Sequence, residues 1–133
     1  MMEELDRLYP DGCATGGAVV TSGGNLSAKY VFHAVGPIWR GGGNRESELL
    51  GKAYQTCLEL AREKECKRVA FPAISTGIYG YPKDLAAELS LGTCRTFMEA
   101  NACPEVVRFV LFDEGTYGAY ARVLEEWLTE GTK

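Results

Sequence analysis

Apolar residues follow two patterns along the chain. Four short runs are rich in β-branched and aromatic residues and bounded by Gly, Pro, Asn or Asp: Gly17 to Thr21 (GAVVT), Tyr30 to Val35 (YVFHAV), Arg68 to Ile74 (RVAFPAI) and Val106 to Phe112 (VVRFVLF). Each predicts a strand. Three of them are nearly continuous in apolar residues, the pattern of strands covered on both faces. Elsewhere apolar residues return at helical spacing. From Glu46 to Glu65 the stripe is Leu50, Ala53, Tyr54, Cys57, Leu58 and Ala61, with Glu46 and Glu48 read as part of a solvated face. From Asp84 to Ala100 it is Ala86, Leu89, Cys94, Phe97 and Met98, with Asp84 as N-cap and Pro82 upstream. From Thr116 to Leu128 it is Tyr117, Tyr120, Ala121, Leu124 and Leu128. A short helical turn is expected to end near Tyr9. The order after residue 12, β-β-α-β-α-β-α, predicts an α/β fold with helices on the faces of a sheet.

The 133 residues make one domain the expectation, without a linker or repeat between 1 and 133. No apolar run approaches the roughly 18 residues of a membrane span, and the opening Met1-Met2-Glu3-Glu4 lacks the basic and apolar regions of a secretory signal. A net charge of -4 argues against direct binding to nucleic-acid backbone, which needs clustered Lys and Arg. It leaves a nucleotide open, because backbone N–H groups hold phosphate without side-chain charge. Cys13, Cys57, Cys66, Cys94 and Cys103 form no CxxC and meet a single histidine, His33, so neither a zinc site nor any other metal or cofactor is expected. The same cysteine usage reads as a reduced, cytoplasmic protein.

The strongest candidate chemistry is Phe71-Pro72-Ala73-Ile74-Ser75-Thr76-Gly77-Ile78-Tyr79-Gly80-Tyr81-Pro82, a strand running through a Ser/Thr/Gly turn into a helix. Anions favour such junctions in α/β folds. Gly77 and Gly80 are expected to supply positive φ and close backbone approach, and Ser75 and Thr76 hydroxyl donors. The segment is neither a Walker loop nor G-x-G-x-x-G, and a plain tight turn is the alternative. His33, inside an apolar strand, reads as structural rather than as a general base. Asp113 and Glu114 read as helix-start acids rather than a catalytic pair, and Trp39 and Tyr81 as packing residues.

The segment PAISTGIYGYP resembles the phosphate-binding loop of macro domains, in particular the ADP-ribosyl hydrolase and O-acetyl-ADP-ribose deacetylase branch. Thr15 to Thr21, His33 to Trp39 and Phe109 to Glu114 resemble further segments of that branch, in the same order. The resemblance implies a three-layer α/β/α fold with a mixed sheet. It assigns ADP-ribose or a derivative to Ser75, Thr76, Gly77, Ile78, Tyr79 and Gly80, with the diphosphate on the loop and Tyr79 near the distal ribose. Phe112 falls where relatives place an aromatic beside the adenine, and a core residue ending a strand is the other reading. The resemblance also has a departure. Relatives begin with two strands followed by an N-A-A-N segment and a G-G-G-V-D-type loop, and Met1 to Gly12 resembles only the end of the helix after that loop. The expectation is an N-terminally shortened macro domain, with its catalytic residues unknown.

Three functions follow from the resemblance: a binding module for ADP-ribose, a hydrolase of acetyl or protein-linked esters on ADP-ribose if the natural chain includes the N-terminal catalytic loop, or a ligand-free remnant. It also implies a strand order of 1-6-5-2-4-3 with strands 1 and 2 missing. That leaves a gap of roughly 9–10 Å between Arg68–Ile74 and Tyr30–Val35, two inter-strand spacings. Either the flanking strands close up, or another chain fills the space, and a homo-oligomer completing the sheet is the expected outcome.

Overall fold

The computed structural model describes residues 13–23, 29–77 and 79–131. Strands β1 (Ala18–Ser22) and β2 (Tyr30–Ala34) form an antiparallel hairpin with Ala18 opposite Ala34. Strands β3 (Arg68–Phe71) and β4 (Val106–Phe109) run parallel, with Arg68 beside Val106 and Phe71 beside Phe109. The helices are α1 (Glu46–Glu63), α2 (Lys83–Ala100) and α3 (Glu114–Gly131). The order is the one expected from the sequence, and the turn expected near Tyr9 lies outside the described residues.

The element ends differ from expectation for local reasons. β3 stops at Phe71 because Pro72 has no N–H to give the ladder. Val110 N–H donates the last rung to Phe71 C=O at 2.8 Å, after which 110–112 leave the pairing. α2 starts at Lys83 with Pro82 at its cap, not Asp84; the Asp84 carboxylate instead accepts from Arg122 on α3 at 2.6 Å. α3 starts two residues early because Asp113 caps it, accepting the Thr116 N–H at 2.8 Å and the Thr116 hydroxyl at 3.0 Å.

The predicted stripes form the core. Leu50, Tyr54, Cys57, Leu58 and Ala61 of α1 pack with Val69 and Phe71 of β3 and with Ala86, Cys94 and Phe97 of α2. A second cluster joins Ala87 and Leu91 of α2 to Ala119, Tyr120 and Val123 of α3. Phe109 touches both clusters, its ring 5.7 Å from Phe71 and 5.1 Å from Tyr120. Burial alternates along β3 and β4. Val69, Phe71, Val107 and Phe109 turn toward the core, and Arg68, Ala70, Val106 and Arg108 are exposed. Apolar continuity had suggested cover on both faces. Among the described residues only the core-side face of these two strands is covered.

The four strands do not make one mixed sheet. They form two two-stranded sheets, β1-β2 and β3-β4, and β2 and β3 are not hydrogen-bonded to each other. Direct closure of the two strands, one of the outcomes considered from the sequence, does not occur. The core cluster holds β3 and the helices together without it. No described helix is long and apolar enough to cross a membrane.

Glu46 was expected on a solvated face and is instead 1% exposed. It opens α1, behind Arg45 in left-handed backbone (φ 62). Its carboxylate accepts backbone N–H groups from Arg40 (2.8 Å), Gly42 (2.8 Å) and Asn44 (2.6 Å), so it organises the glycine-rich loop before the helix. The Arg40 N–H bond, partly opposed by burial and helped by Gly42 and Asn44, holds its pKa below the usual 4.5. A depressed carboxylate stabilises the fold above its unfolded pKa and loses that contribution as pH falls through the folded value. Glu46→Gln should therefore lower the melting temperature at pH 7, and its deficit should shrink as the pH is taken below 4.5. Melting curves of both proteins across pH check this; a deficit independent of pH contradicts it.

Candidate functional site

β3 and β4 run parallel, so the segments leaving them emerge at one end of the molecule. Lys83 and Asp113, which follow those segments, are joined there by a 3.0 Å ion pair. The end of β2 arrives at the same place: a Cβ added to Gly36 would collide with Ser75 Oγ and Ile74 Cγ2. Three loops, 35–45, 72–82 and 110–113, thus gather around the Ser75–Gly80 turn.

Interactions from every side fix that turn. Tyr54, fully buried on α1, reaches the point where β3 becomes the loop. Its hydroxyl accepts the Ile74 N–H at 3.0 Å and donates to Pro72 C=O at 3.2 Å. Burial, with the nearby Tyr120 hydroxyl, pushes its pKa well above the usual value, so it stays a phenol and can keep donating. Beyond the clamp, Thr76 Oγ1 donates to Ala73 C=O at 3.0 Å, Gly80 N–H to Gly77 C=O at 3.0 Å and Tyr81 N–H to Ser75 C=O at 2.9 Å. Trp39 N–H donates to Tyr79 C=O at 2.8 Å, and its ring packs on Tyr81 at 4.8 Å. Trp39 itself sits against Gly42, in the loop that Glu46 organises.

The turn is strained in one place. Ser75 occupies left-handed backbone (φ 68), where a non-glycine residue costs about 1–3 kcal/mol. Gly80 is left-handed as expected (φ 72), but the second such residue is Ser75 rather than Gly77. Ser75 Oγ is buried against Gly36 with no hydrogen-bond partner among the described residues. The backbone N–H groups of Ser75, Gly77 and Tyr79 are likewise without a partner among the described residues. Gly77, Tyr79 and Gly80 are exposed, and nothing lies within 4 Å of a Cβ placed on Gly77. Ile78 lies outside the described residues. The result is a set of backbone donors on a braced, open turn, suited to an anion.

Phe112, at the same end of the sheet, is 90% exposed, so the reading of it as a core residue does not hold. Asp113 is occupied as a helix cap: the Thr116 N–H, then Lys83, lower its pKa to about 2. Glu114 lies in the first turn of α3, so the pair does the helix-start work expected of it. His33 is half-buried, its Nε2 2.9 Å from Thr21 Oγ1 on the neighbouring strand, away from the turn. Trp39 and Tyr81 pack as predicted. Among the described residues no group of three or more His, Cys, Asp or Glu could hold a metal. The sequence reading missed Tyr54 and Glu46 as supports of the site, and Gly36 as the residue that lets β2 approach it.

Tyr54→Phe keeps the ring and removes the clamp, leaving the Ile74 N–H and Pro72 C=O without it. The fold should lose about 1–3 kcal/mol, and the Ile74 amide should exchange with solvent faster than it does in the parent. Urea unfolding with hydrogen exchange measures both; an unchanged Ile74 amide would show that the clamp does not hold the loop.

The comparisons with known proteins agree with this geometry. The model of the Macro domain family matches residues 1–90. An O-acetyl-ADP-ribose deacetylase of Salmonella typhimurium is 53% identical over 123 residues, covering 92% of this chain and 69% of the relative. The Oceanobacillus iheyensis macrodomain, solved with ADP, superposes with a TM-score of 0.87 at 35% identity, covering 97% of this chain and 68% of that one. The Trypanosoma brucei macrodomain in complex with ADP-ribose gives 0.77 at 35% identity, over 85% of this chain and 47% of that one. The braced turn after a buried strand, the order of elements and these relatives agree: the chain belongs to the macro domain family.

Proposed function

We propose that this chain binds ADP-ribose or a close derivative, with the diphosphate on Ser75, Thr76, Gly77, Ile78, Tyr79 and Gly80. The observation that carries the reading is the strained turn with backbone N–H groups lacking a partner among the described residues, at a strand-loop-helix junction braced by Tyr54 and Trp39. Donors fixed in advance bind an anion without paying to order themselves. Tyr79, 41% exposed, stands beside the distal ribose in this reading. Phe112, open to solvent at the same end, offers its face to the adenine, worth on the order of 1 kcal/mol. The net charge of -4 and the unpaired cysteines suit a nucleotide ligand held by backbone, no contact with nucleic-acid backbone, and a cytoplasmic setting.

The second reading is hydrolysis of an ester on ADP-ribose, favoured by the 53% identity to a deacetylase. Binding ranks first because neither His33 nor Asp113 is offered to the turn as a base: one is tied to Thr21, the other caps α3. Hydrolysis also needs a positioned water, and a natural chain that carries the relatives' N-A-A-N and G-G-G-V-D segments would move hydrolysis to first place. A ligand-free remnant would have no need of a clamped and strained turn.

Gly77→Val tests the ligand directly. Its Cβ meets nothing in the free protein, so the fold should tolerate it while a phosphate is kept away. Titration calorimetry should show ADP-ribose binding to the parent and at least tenfold weaker binding to the variant, about 1.4 kcal/mol; equal affinities would remove the loop from the site. Acetate release from O-acetyl-ADP-ribose should stay near background for the 133-residue chain. Robust turnover abolished by His33→Ala would replace binding with catalysis and make His33 the base.

A further inference from the structure

We infer that Cys66 and Cys103 form a reversible dithiol site, which a small disulfide oxidises to a cross-link between the starts of β3 and β4. This does not depend on the reading of the ligand.

The two residues are 37 positions apart, and only the fold brings them together. The Cys103 thiol donates to Cys66 C=O, with 3.1 Å between sulfur and oxygen. Both residues are half-buried and carry free thiols. Each stands just before a strand of the parallel pair, which begins at Arg68 on one side and at Val106 on the other. Arg68 lies beside Val106, so the same register carried backward sets Cys66 beside Pro104, next to Cys103. The N–H groups of Glu105 and Val106 both donate to Lys67 C=O, at 2.8 and 3.0 Å, which holds the two approaches together. Neighbouring strands lie about 4.8 Å apart, within the span of about 4.4–6.8 Å between Cα atoms that a disulfide bridges. The Cα of Cys66 is about 2.4 Å from its own oxygen, which keeps the Cys103 sulfur within about 5.5 Å of that Cα.

Both frames are set before any bond forms. Glu65, in left-handed backbone (φ 55), turns the chain back after α1, and Cys66 N–H donates to Ala61 C=O at 2.8 Å. Arg62, at the end of α1, donates to Asn101 Oδ1 at 2.6 Å, and its guanidinium lies over the Phe97 ring. The segment that carries Cys103 is thus tied to the end of α1 that leads into Cys66. Rotation of the two side chains converts the S–H···O contact into an S–S bond. Burial, then the neighbouring Cys103, raise the Cys66 pKa, and Lys29 and Lys64 pull against that rise. Burial pushes the Cys57 and Cys94 thiols up to about 12, which keeps both out of the exchange.

The chemistry is two thiol–disulfide exchanges. One protein thiolate attacks the small disulfide: a mixed S–S bond forms, the small disulfide's own bond breaks, and one small thiol leaves. The second protein thiolate attacks the protein sulfur of the mixed disulfide, and the second small thiol leaves. Two protein thiols are oxidised, their two protons and two electrons pass to the small molecule, and excess small thiol reverses both steps. The bond closes a loop that contains β3, the Ser75–Gly80 turn and α2. Cross-linking removes freedom from the unfolded chain, and a link made inside a frame already in place keeps that gain.

The full 133-residue chain, dilute and fully reduced, should be treated with oxidised glutathione as the small disulfide, then mapped by mass spectrometry of a non-reduced digest. The expected product is a monomer with one internal bond, Cys66 to Cys103. Its melting temperature should stand at least about 5 °C above that of the reduced chain and return to it on addition of a small dithiol. Cys103→Ser and Cys66→Ser, each checked for folding by its own melting curve, should lose the oxidation-dependent shift. Absence of the bond, a mixed disulfide that persists on either cysteine, a bond between any other pair or between two chains, or a Cys66–Cys103 bond that lowers the melting temperature would each overturn the proposal. So would a shift that survives in Cys103→Ser.

Discussion

The hydroxyl of Tyr54 is the contact on which the site depends. A strand that turns into a loop exposes backbone groups no longer served by the ladder, and in a buried setting each one left unmade costs free energy. At the end of β3 the problem is sharpened by Pro72, which cannot donate. One phenol from α1 resolves it by serving Pro72 C=O and Ile74 N–H together. The ring that carries the hydroxyl packs against Phe71 and Phe109, at 5.0 and 5.9 Å between centroids. The position of the loop is thus set by the packing of the core. Rigidity there lets Ser75 be held in a backbone conformation it would not adopt in a free peptide.

A second support reaches the loop from the opposite side, through backbone rather than core. Glu46 gathers three N–H groups of the glycine-rich segment, which holds Trp39, which in turn bonds Tyr79 and packs on Tyr81. Glycine at 42 admits the Trp39 ring, and glycine at 36 admits Ser75. The two supports leave the outward face of the turn open while fixing its inner side, the arrangement that a site made of main-chain donors needs.

The same economy of backbone bonds explains the split sheet. β3 is secured by β4 and by the core beneath it, and β2 by β1, so neither needs the other to stay in place. Between them lies a cavity bordered by residues of both strands. Beyond β2, the bare backbone of Gly36 lets the chain pass close to Ser75.

Local pattern located all seven described elements: the return of apolar residues at helical spacing marked the helices, and short β-branched and aromatic runs bounded by Gly, Pro, Asn or Asp marked the strands. The turn of Ser75 to Gly80 was legible for a related reason: glycines and hydroxyls clustered between a buried strand and a helix mark a place where the chain turns. Tyr54 and Glu46 carried no such mark. Tyr54 is one apolar stripe residue among several, and Glu46 one acid among those of a helix start. Their roles arise from partners 18 to 20 residues away for Tyr54 and from a folded-back loop for Glu46. The sequence likewise could not say that β3 and β4 leave one face bare, since Arg68, Ala70, Val106 and Arg108 are set outward only by the pleat of a paired ladder. By itself, then, the sequence determined the elements, their order, the family and the place of the Ser75–Gly80 turn, all properties of local pattern. The tertiary structure alone decided which side chains brace that turn and which of the described strands pair, because those depend on distances between residues that the chain order does not contain.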